Sequence, residues 1–187
     1  VKIIALVGSL RRDSFNMQLA TTMKDRYKDK LSIEVADLRA LPYFDQDEEQ
    51  NPPQVVKDFK TSIAQADGVL IVTPEYNWSV PGVLKNAIDW TSREDKVFIG
   101  KPVMVVGATP GAMGTIRAQL HLRDILSSPG IQAKLLPPAS NEVLVNFAAQ
   151  KFDASTGRLV DESTLNFLDA KVNIFIEFIG EVKSLNV

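Results

Sequence analysis

Apolar and polar positions come in blocks along this chain, and the period of each block predicts an element. Ile3 to Val7 is a short, continuous apolar run ending in Gly8-Ser9, the pattern of a strand buried on both faces. From Ser14 the spacing becomes helical, with Phe15, Leu19, Thr22, Met23 and Tyr27 sharing one face. Ser32 to Leu38 alternates through Ile33 and Val35 and reads as a second, more peripheral strand. Residues 39–54 carry Pro42, Pro52 and Pro53 among acidic side chains and read as a long loop. A helix runs from Gln54 to Ala66, with Val55, Phe59 and Ile63 at four-residue steps.

Gly68 to Thr73 is the most strongly apolar strand and stops at Pro74. After a polar loop, Pro81 sits where a first helical turn tolerates it, ahead of Val83, Leu84, Ala87, Ile88 and Trp90. Pro102 to Ala108 is another apolar strand. A helix from Gly114 to Ser127 follows, with Ile116, Leu120, Ile125 and Leu126 inward, and residues 131–136 make a fifth strand. Val160 to Val182 gives the last helix, with Leu165, Leu168, Val172, Ile176 and Ile179 as its buried stripe.

Strands alternating with helices imply right-handed crossovers and a parallel sheet covered on both faces. Five such strands fit a flavodoxin-like, three-layer α/β sandwich with strand order 2-1-3-4-5. Residues 1–187 read as a single domain of this kind, without internal repeat or linker. The fold directs attention to the loops that begin at Gly8, Thr73 and Gly107, at the carboxyl ends of strands one, three and four.

Composition narrows the chemistry. At 45% hydrophobic and 24% charged residues the chain is an ordinary globular protein. A net charge of −2 gives no global attraction for nucleic acid or an anionic membrane, so any anion site must be built locally. No cysteine is present, which removes disulfides, thiolate metal sites and cysteine nucleophiles, and the single histidine, His121, cannot supply a metal cluster. No apolar run approaches the roughly 20 residues of a membrane span. The apolar opening lacks a basic leader and a small-residue cleavage site, so a cytoplasmic location is the expectation.

The first loop, Gly8-Ser9-Leu10-Arg11-Arg12-Asp13-Ser14-Phe15-Asn16, leads from a central strand into a helix. Helix-start amides and the dipole favour a phosphate there, Ser9, Ser14 and Asn16 add neutral donors, and Arg11 adds a charged fork. The loop lacks the glycine pattern of dinucleotide folds and the Gly-Lys-Ser/Thr of triphosphate loops, which favours a monophosphate group. Ordinary capping by Asp13 or Ser14 with solvated arginines reads the same residues equally well.

The second loop, Thr73-Pro74-Glu75-Tyr76-Asn77-Trp78-Ser79-Val80-Pro81-Gly82, is stiffened by two prolines and a glycine. It can present amides to the edge of a planar ring, with Tyr76 or Trp78 stacking or closing the pocket. Either aromatic taken alone is as well explained by packing or an interface. The third loop, with Gly107, Gly111 and Gly114, either lets backbone approach a ligand closely or is a plain tight connection. His121 reads as an interface or capping side chain, Lys85 and Asp89 as an i,i+4 pair, and the acidic run 45–49 as a solvated face.

With these segments in hand, the sequence resembles the NADPH-dependent FMN reductase family of flavodoxin-like quinone, azo-dye and chromate reductases. The matching motifs are Gly-Ser-Leu-Arg-x-x-Ser-x-Asn at 8–16, Thr-Pro-Glu-Tyr-Asn-x-Ser-x-Pro-Gly-x-Leu-Lys-Asn-Ala-Ile-Asp-Trp at 73–90, and the glycine-spaced stretch from Gly107 to Arg123. The resemblance implies Ser9, Arg11, Ser14, Phe15 and Asn16 around the phosphate and ribityl end of FMN. It places Pro74, Glu75, Tyr76 and Asn77 along the isoalloxazine, joined by the loop containing Gly107, Gly111 and Gly114. Trp78 would tune substrate access. NAD(P)H is the implied co-substrate, with quinones, azo compounds, flavins or metal oxyanions as acceptors.

FMN carries the difficult chemistry, so no catalytic protein residue and no metal are expected. The resemblance also implies a homodimer or homotetramer, with the segment from Ser79 to Trp90 near the partner and Arg117 and Glu142 matching a tetramer contact network. A tyrosine frequent three residues after that arginine is Leu120 here. A non-enzymatic, flavodoxin-like electron carrier is the competing reading; the modest net charge counts against it.

Overall fold

The computed structural model describes residues 1–138 and 140–185. Its strands are β1 (Lys2–Val7), β2 (Ser32–Val35), β3 (Gly68–Val72), β4 (Pro102–Ala108), β5 (Lys134–Leu135) and β6 (Val143–Val145). The α-helices are α1 (Phe15–Arg26), α2 (Gln54–Gln65), α3 (Gly82–Thr91), α4 (Ile116–Ser127), α5 (Ala148–Lys151) and α6 (Glu162–Ser184). All strand pairs are parallel, in the order β2-β1-β3-β4-β5, as the alternation of elements predicts.

The fifth position of the sheet differs from expectation. Two short strands share it: β5 pairs with Pro102 and Val103 at the start of β4, and β6 pairs with Val106, Gly107 and Ala108 at its end. Ile131 and Gln132 are taken up by a turn at the end of α4, both donating to the Ser128 carbonyl. Pro137 and Pro138 between the two strands have no N–H to give to a ladder, so the strand expected over 131–136 shortens to Lys134–Leu135.

The second strand also ends early, at Val35. Asp37 accepts a bond from the Arg39 N–H and starts a single 3-10 turn over Leu38–Ala40 that buries Leu38. A second such turn, Gln46–Glu48, interrupts the long loop.

Alternating residues of the central strands feed two cores, one on each face of the sheet. Ile3, Ala5, Leu70, Val72, Met104 and Val106 pack beneath α1 and α6. Ile4, Leu6, Val69, Ile71, Val103 and Val105 pack beneath α2, α3 and α4. The stripe on α4 is rotated from the expected one. Ala118, Leu122 and Leu126, each four residues apart, face the sheet, so Leu120 points outward and is 46% exposed.

Asn86 and Trp90 of α3 clamp the long loop. Trp90 Nε1 and Asn86 Nδ2 both donate to the Pro42 carbonyl at 2.9 Å, and Asn86 Oδ1 accepts from the Phe44 N–H.

Candidate active site

The sheet order brings the ends of β1, β3 and β4 side by side, and the three loops that follow them touch. Gly8 donates its N–H to the Val72 carbonyl, and a Cβ built on it would meet Pro74, Leu84 and Pro81. Loops one and two therefore share a floor.

Loop one ends on Ser14, the N-cap of α1, whose hydroxyl accepts from the Met17 N–H at 3.2 Å. Among the described residues, the main-chain N–H groups from Ser9 to Asn16 have no partner. Ser9 and Ser14 are 6% and 1% exposed, so their amides are candidates for a bound group rather than for bulk water. The dipole of α1 points its positive end at the same place. Arg11 is exposed, with its guanidinium 5.6 Å from the centre of the Phe15 ring, and Phe15 is itself anchored on Phe152 at 5.4 Å. Arg39 donates to the Leu10 carbonyl and ties the loop to the 3-10 turn below it.

Asn16 is placed differently from its loop neighbours. Its Nδ2 donates to the Ala108 carbonyl and its Oδ1 accepts from the Ala108 N–H, both at 2.9 Å and both buried. The side chain thus fastens α1 to the end of β4, and what Asn16 offers the loop is its main-chain N–H.

Loop two carries a tight turn. Tyr76 and Ser79 exchange main-chain hydrogen bonds at 3.0 Å, with Asn77 and Trp78 between them at φ 49° and 64°. Two consecutive left-handed residues make a type I′ turn. The N–H groups of Glu75, Asn77 and Trp78 have no partner among the described residues. Pro74 is buried against Gly8, and Tyr76 and Asn77 are exposed.

The Glu75 side chain leaves the loop. Its Oε2 accepts from the Arg117 and Ala118 N–H groups at 2.9 and 3.3 Å, and its Oε1 lies 3.5 Å from the Arg117 guanidinium. It caps α4, whose own N-cap, Thr115, is left-handed and makes no side-chain cap. The guanidinium of Arg117 in turn lies 4.1 Å from the centre of the Trp78 ring.

In loop three the glycines divide. A Cβ on Gly107 would collide with Thr115 Oγ1 and the Thr73 carbonyl, and one on Gly114 (φ 59°) with Leu144. Both are buried packing positions. Gly111 is exposed, and a Cβ on it would meet only Thr109 Oγ1, at an ordinary contact distance of 3.7 Å. The loop is strapped from outside by a segment that the sequence reading leaves unassigned. Phe147 and Ala148 donate main-chain N–H groups to the Gly111 and Thr109 carbonyls, and Asn146 Nδ2 donates to that of Ala112. Phe147 adopts φ 48°, and no local pattern in the sequence marks it.

His121 Nδ1 lies 3.0 Å from Ser79 Oγ, and Lys85 and Asp89 pair at 2.7 Å within α3. Among the described residues, no helix is long and apolar enough to cross a membrane, and no cluster of ligating side chains could hold a metal ion.

The model of the NADPH-dependent FMN reductase family matches residues 1–150. The chain belongs to that family. It is an NAD(P)H-dependent oxidoreductase with FMN as cofactor. The partnerless amides of loop one, closed by a neutral serine cap and a free arginine, fit the phosphate of that cofactor.

The chain is 40% identical over 187 residues to the NADH-dependent flavin reductase subunit 2 of Lactobacillus johnsonii, covering 98% of this chain and 100% of that one. It is 39% identical to a quinone reductase of Escherichia coli, covering 98% and 97%. Among solved structures it is similar to FerB, a flavoenzyme NAD(P)H:(acceptor) oxidoreductase from Paracoccus denitrificans. The TM-score is 0.85 at 33% identity, over 96% of this chain and 97% of that one.

Proposed function

We propose that residues 1–187 form one FMN-binding domain that oxidises NAD(P)H and reduces quinone- and flavin-type acceptors. When bound, FMN supplies the two-electron hydride chemistry that connects the two substrates. A quinone acceptor takes two electrons and two protons, one arriving with the hydride and one from water.

The amides from Ser9 to Asn16 hold the phosphate, with Ser9 and Ser14 hydroxyls and the Arg11 fork completing its shell. Phe15 supports Arg11 from below. Pro74 supplies a rigid floor, and the N–H groups of Glu75, Asn77 and Trp78 meet the edge of the ring. Tyr76 shapes its exposed face, while Gly111 leaves room on the opposite loop. Gly107 and Gly114 act indirectly, by letting β4 and β6 close beneath that loop. No protein acid, base or nucleophile takes part.

The run of partnerless amides at the start of α1 is the observation that carries this reading. The names of relatives about 40% identical, a flavin reductase subunit and a quinone reductase, support the choice of acceptors. Azo compounds and metal oxyanions are proposed as further acceptors on the family resemblance alone. A homodimer or homotetramer is also proposed, supported by Leu120, exposed on the outer side of α4.

An anaerobic stopped-flow experiment tests the function. The purified protein carries flavin absorbance, and NADPH or NADH bleaches it rapidly and saturably. A protein that retains no FMN overturns the reading.

A further inference from the structure

Trp78 holds an unusual position. A bulky aromatic at φ 64° is strained relative to the Asn or Gly that such turns favour, so the surrounding structure has to hold it there. Three contacts fasten its turn to α4: the Glu75 carboxylate on the first amides of the helix, Ser79 Oγ on His121 Nδ1, and the Arg117 guanidinium over the indole at 4.1 Å. Arg117 is itself pinned, because its main-chain N–H and its guanidinium both engage Glu75. One face of the indole is covered by this cation, yet the residue is 68% exposed. With most of the residue exposed, the rest of the ring offers an aromatic surface beside the start of α4, which follows loop three directly.

We propose that Arg117 is a positioning residue that holds Trp78 as a stacking platform at the rim of the site, on which planar aromatic acceptors settle. The proposal rests on the flavin reductase reading given above. A quinone gains contact area and π-stacking from a ring held at no further ordering cost. A compact inorganic oxidant gains neither. Arg117 touches no reacting atom and acts through Trp78.

The experiment compares the parent with Arg117→Ala, Arg117→Lys, Trp78→Ala and the Arg117→Ala/Trp78→Ala double variant, all loaded with FMN. The readout is the ratio of kcat/KM for a naphthoquinone to that for ferricyanide. Arg117→Ala lowers this ratio roughly five- to ten-fold, mainly through KM for the quinone, and Arg117→Lys restores part of it. The double variant falls no further than Trp78→Ala alone.

A second readout uses flavin-free protein. The anisotropy of Trp78 emission, isolated as the difference between the parent and Trp78→Phe, drops in Arg117→Ala and partly recovers in Arg117→Lys. An unchanged ratio or an unchanged anisotropy in Arg117→Ala overturns the proposal. So does an additive double variant, or a ratio that falls only together with a change in sedimentation coefficient, which would place the stack at a contact between copies. A parent protein that retains no flavin overturns the reductase function itself, whereas unchanged anisotropy in a protein that retains it overturns only the role of Arg117.

Discussion

Asn16 and Ala108, 92 residues apart, share two buried 2.9 Å hydrogen bonds, which join one side-chain amide to the main-chain N–H and C=O of one residue. The helix that would receive the phosphate is thereby locked to the strand that launches loop three. Asn16→Ala leaves the Ala108 N–H and carbonyl buried without these partners. Equilibrium urea unfolding of the flavin-free protein is expected to show a loss of about 2–3 kcal/mol with an unchanged denaturant slope.

Gly107 and Gly111 separate packing from ligand contact. Gly107→Ala drives a methyl into Thr115 and the Thr73 carbonyl, and it should cost about 3 kcal/mol or more. Gly111→Ala meets only Thr109 Oγ1, at 3.7 Å, and should stay within about 0.5 kcal/mol of the parent. Thermal unfolding of the two flavin-free variants checks the contrast. Any loss of FMN binding in Gly111→Ala then reports on the site and not on the fold.

Among the described residues, Arg11 has no partner holding it in the fold beyond the Phe15 ring. Arg11→Ala is therefore expected to leave the unfolding midpoint of the flavin-free protein unchanged while weakening FMN binding roughly 10- to 100-fold, the range for one charge-assisted phosphate contact. Titration of FMN fluorescence quenching measures it. Undiminished affinity would remove Arg11 from the phosphate shell.

Glu75 caps a helix from 42 residues away in sequence. Its replacement by Ala should cost about 1–2 kcal/mol, as for loss of other N-terminal caps, and Gln should recover part because it keeps an acceptor oxygen. Urea unfolding of both variants tests this; equal losses in Gln and Ala would mean that the charge, acting on the dipole of α4 and on Arg117, is what counts.

Acid should loosen the clasp between α1 and α6. Asp169 receives the Arg26 fork at 2.7 Å through two nitrogens and the Tyr27 hydroxyl at 2.8 Å. The hydrogen bonds from Arg26, more than any other influence, hold its carboxyl below the usual aspartate value. Tyr27 is pushed upward, first by burial and then by the same carboxylate. Because the folded value of Asp169 lies below that of the unfolded chain, near 3.9, its contribution is complete above about pH 5 and is lost as pH falls through the folded value. Both side chains of the ion pair are more than a third exposed, so the effect stays below about 1 kcal/mol. Asp169→Asn should be less stable than the parent at pH 7, and the two urea midpoints should converge as pH falls through the folded value of Asp169.

Much of the fold is legible in the chain because the buried parallel strands announce themselves. Ile3 to Val7, Gly68 to Val72 and Pro102 to Ala108 are apolar on both faces and bounded by glycine or proline, and each lies where its pattern puts it. Where the local signal is ambiguous the reading drifts. Residues 131–136 look like one strand, yet Pro137 and Pro138 divide the edge of the sheet between two segments. On α4, both Leu120 and Leu122 are apolar, and only packing against the sheet selects Leu122.

The sequence by itself determined the alternation of central strands and helices and the three loops, since these depend on local periodicity, and it indicated the kind of chemistry through the motifs that resemble the FMN reductases. It also marked the stretch whose partnerless amides are proposed to hold the phosphate, because a strand, a short polar turn and a helix start are contiguous. The division of labour within the loops was decided only by the tertiary structure. Asn16 and Glu75 look like ligand-facing polar residues in the chain, but their side chains hold β4 and α4, and Gly107 is needed for the close approach of Thr115. Each of these roles depends on a partner 8 to 92 residues away, at a position set by the parallel crossovers. A hydrogen-bonding group can be read from its own residue type, whereas its partner is fixed only when the sheet has assembled.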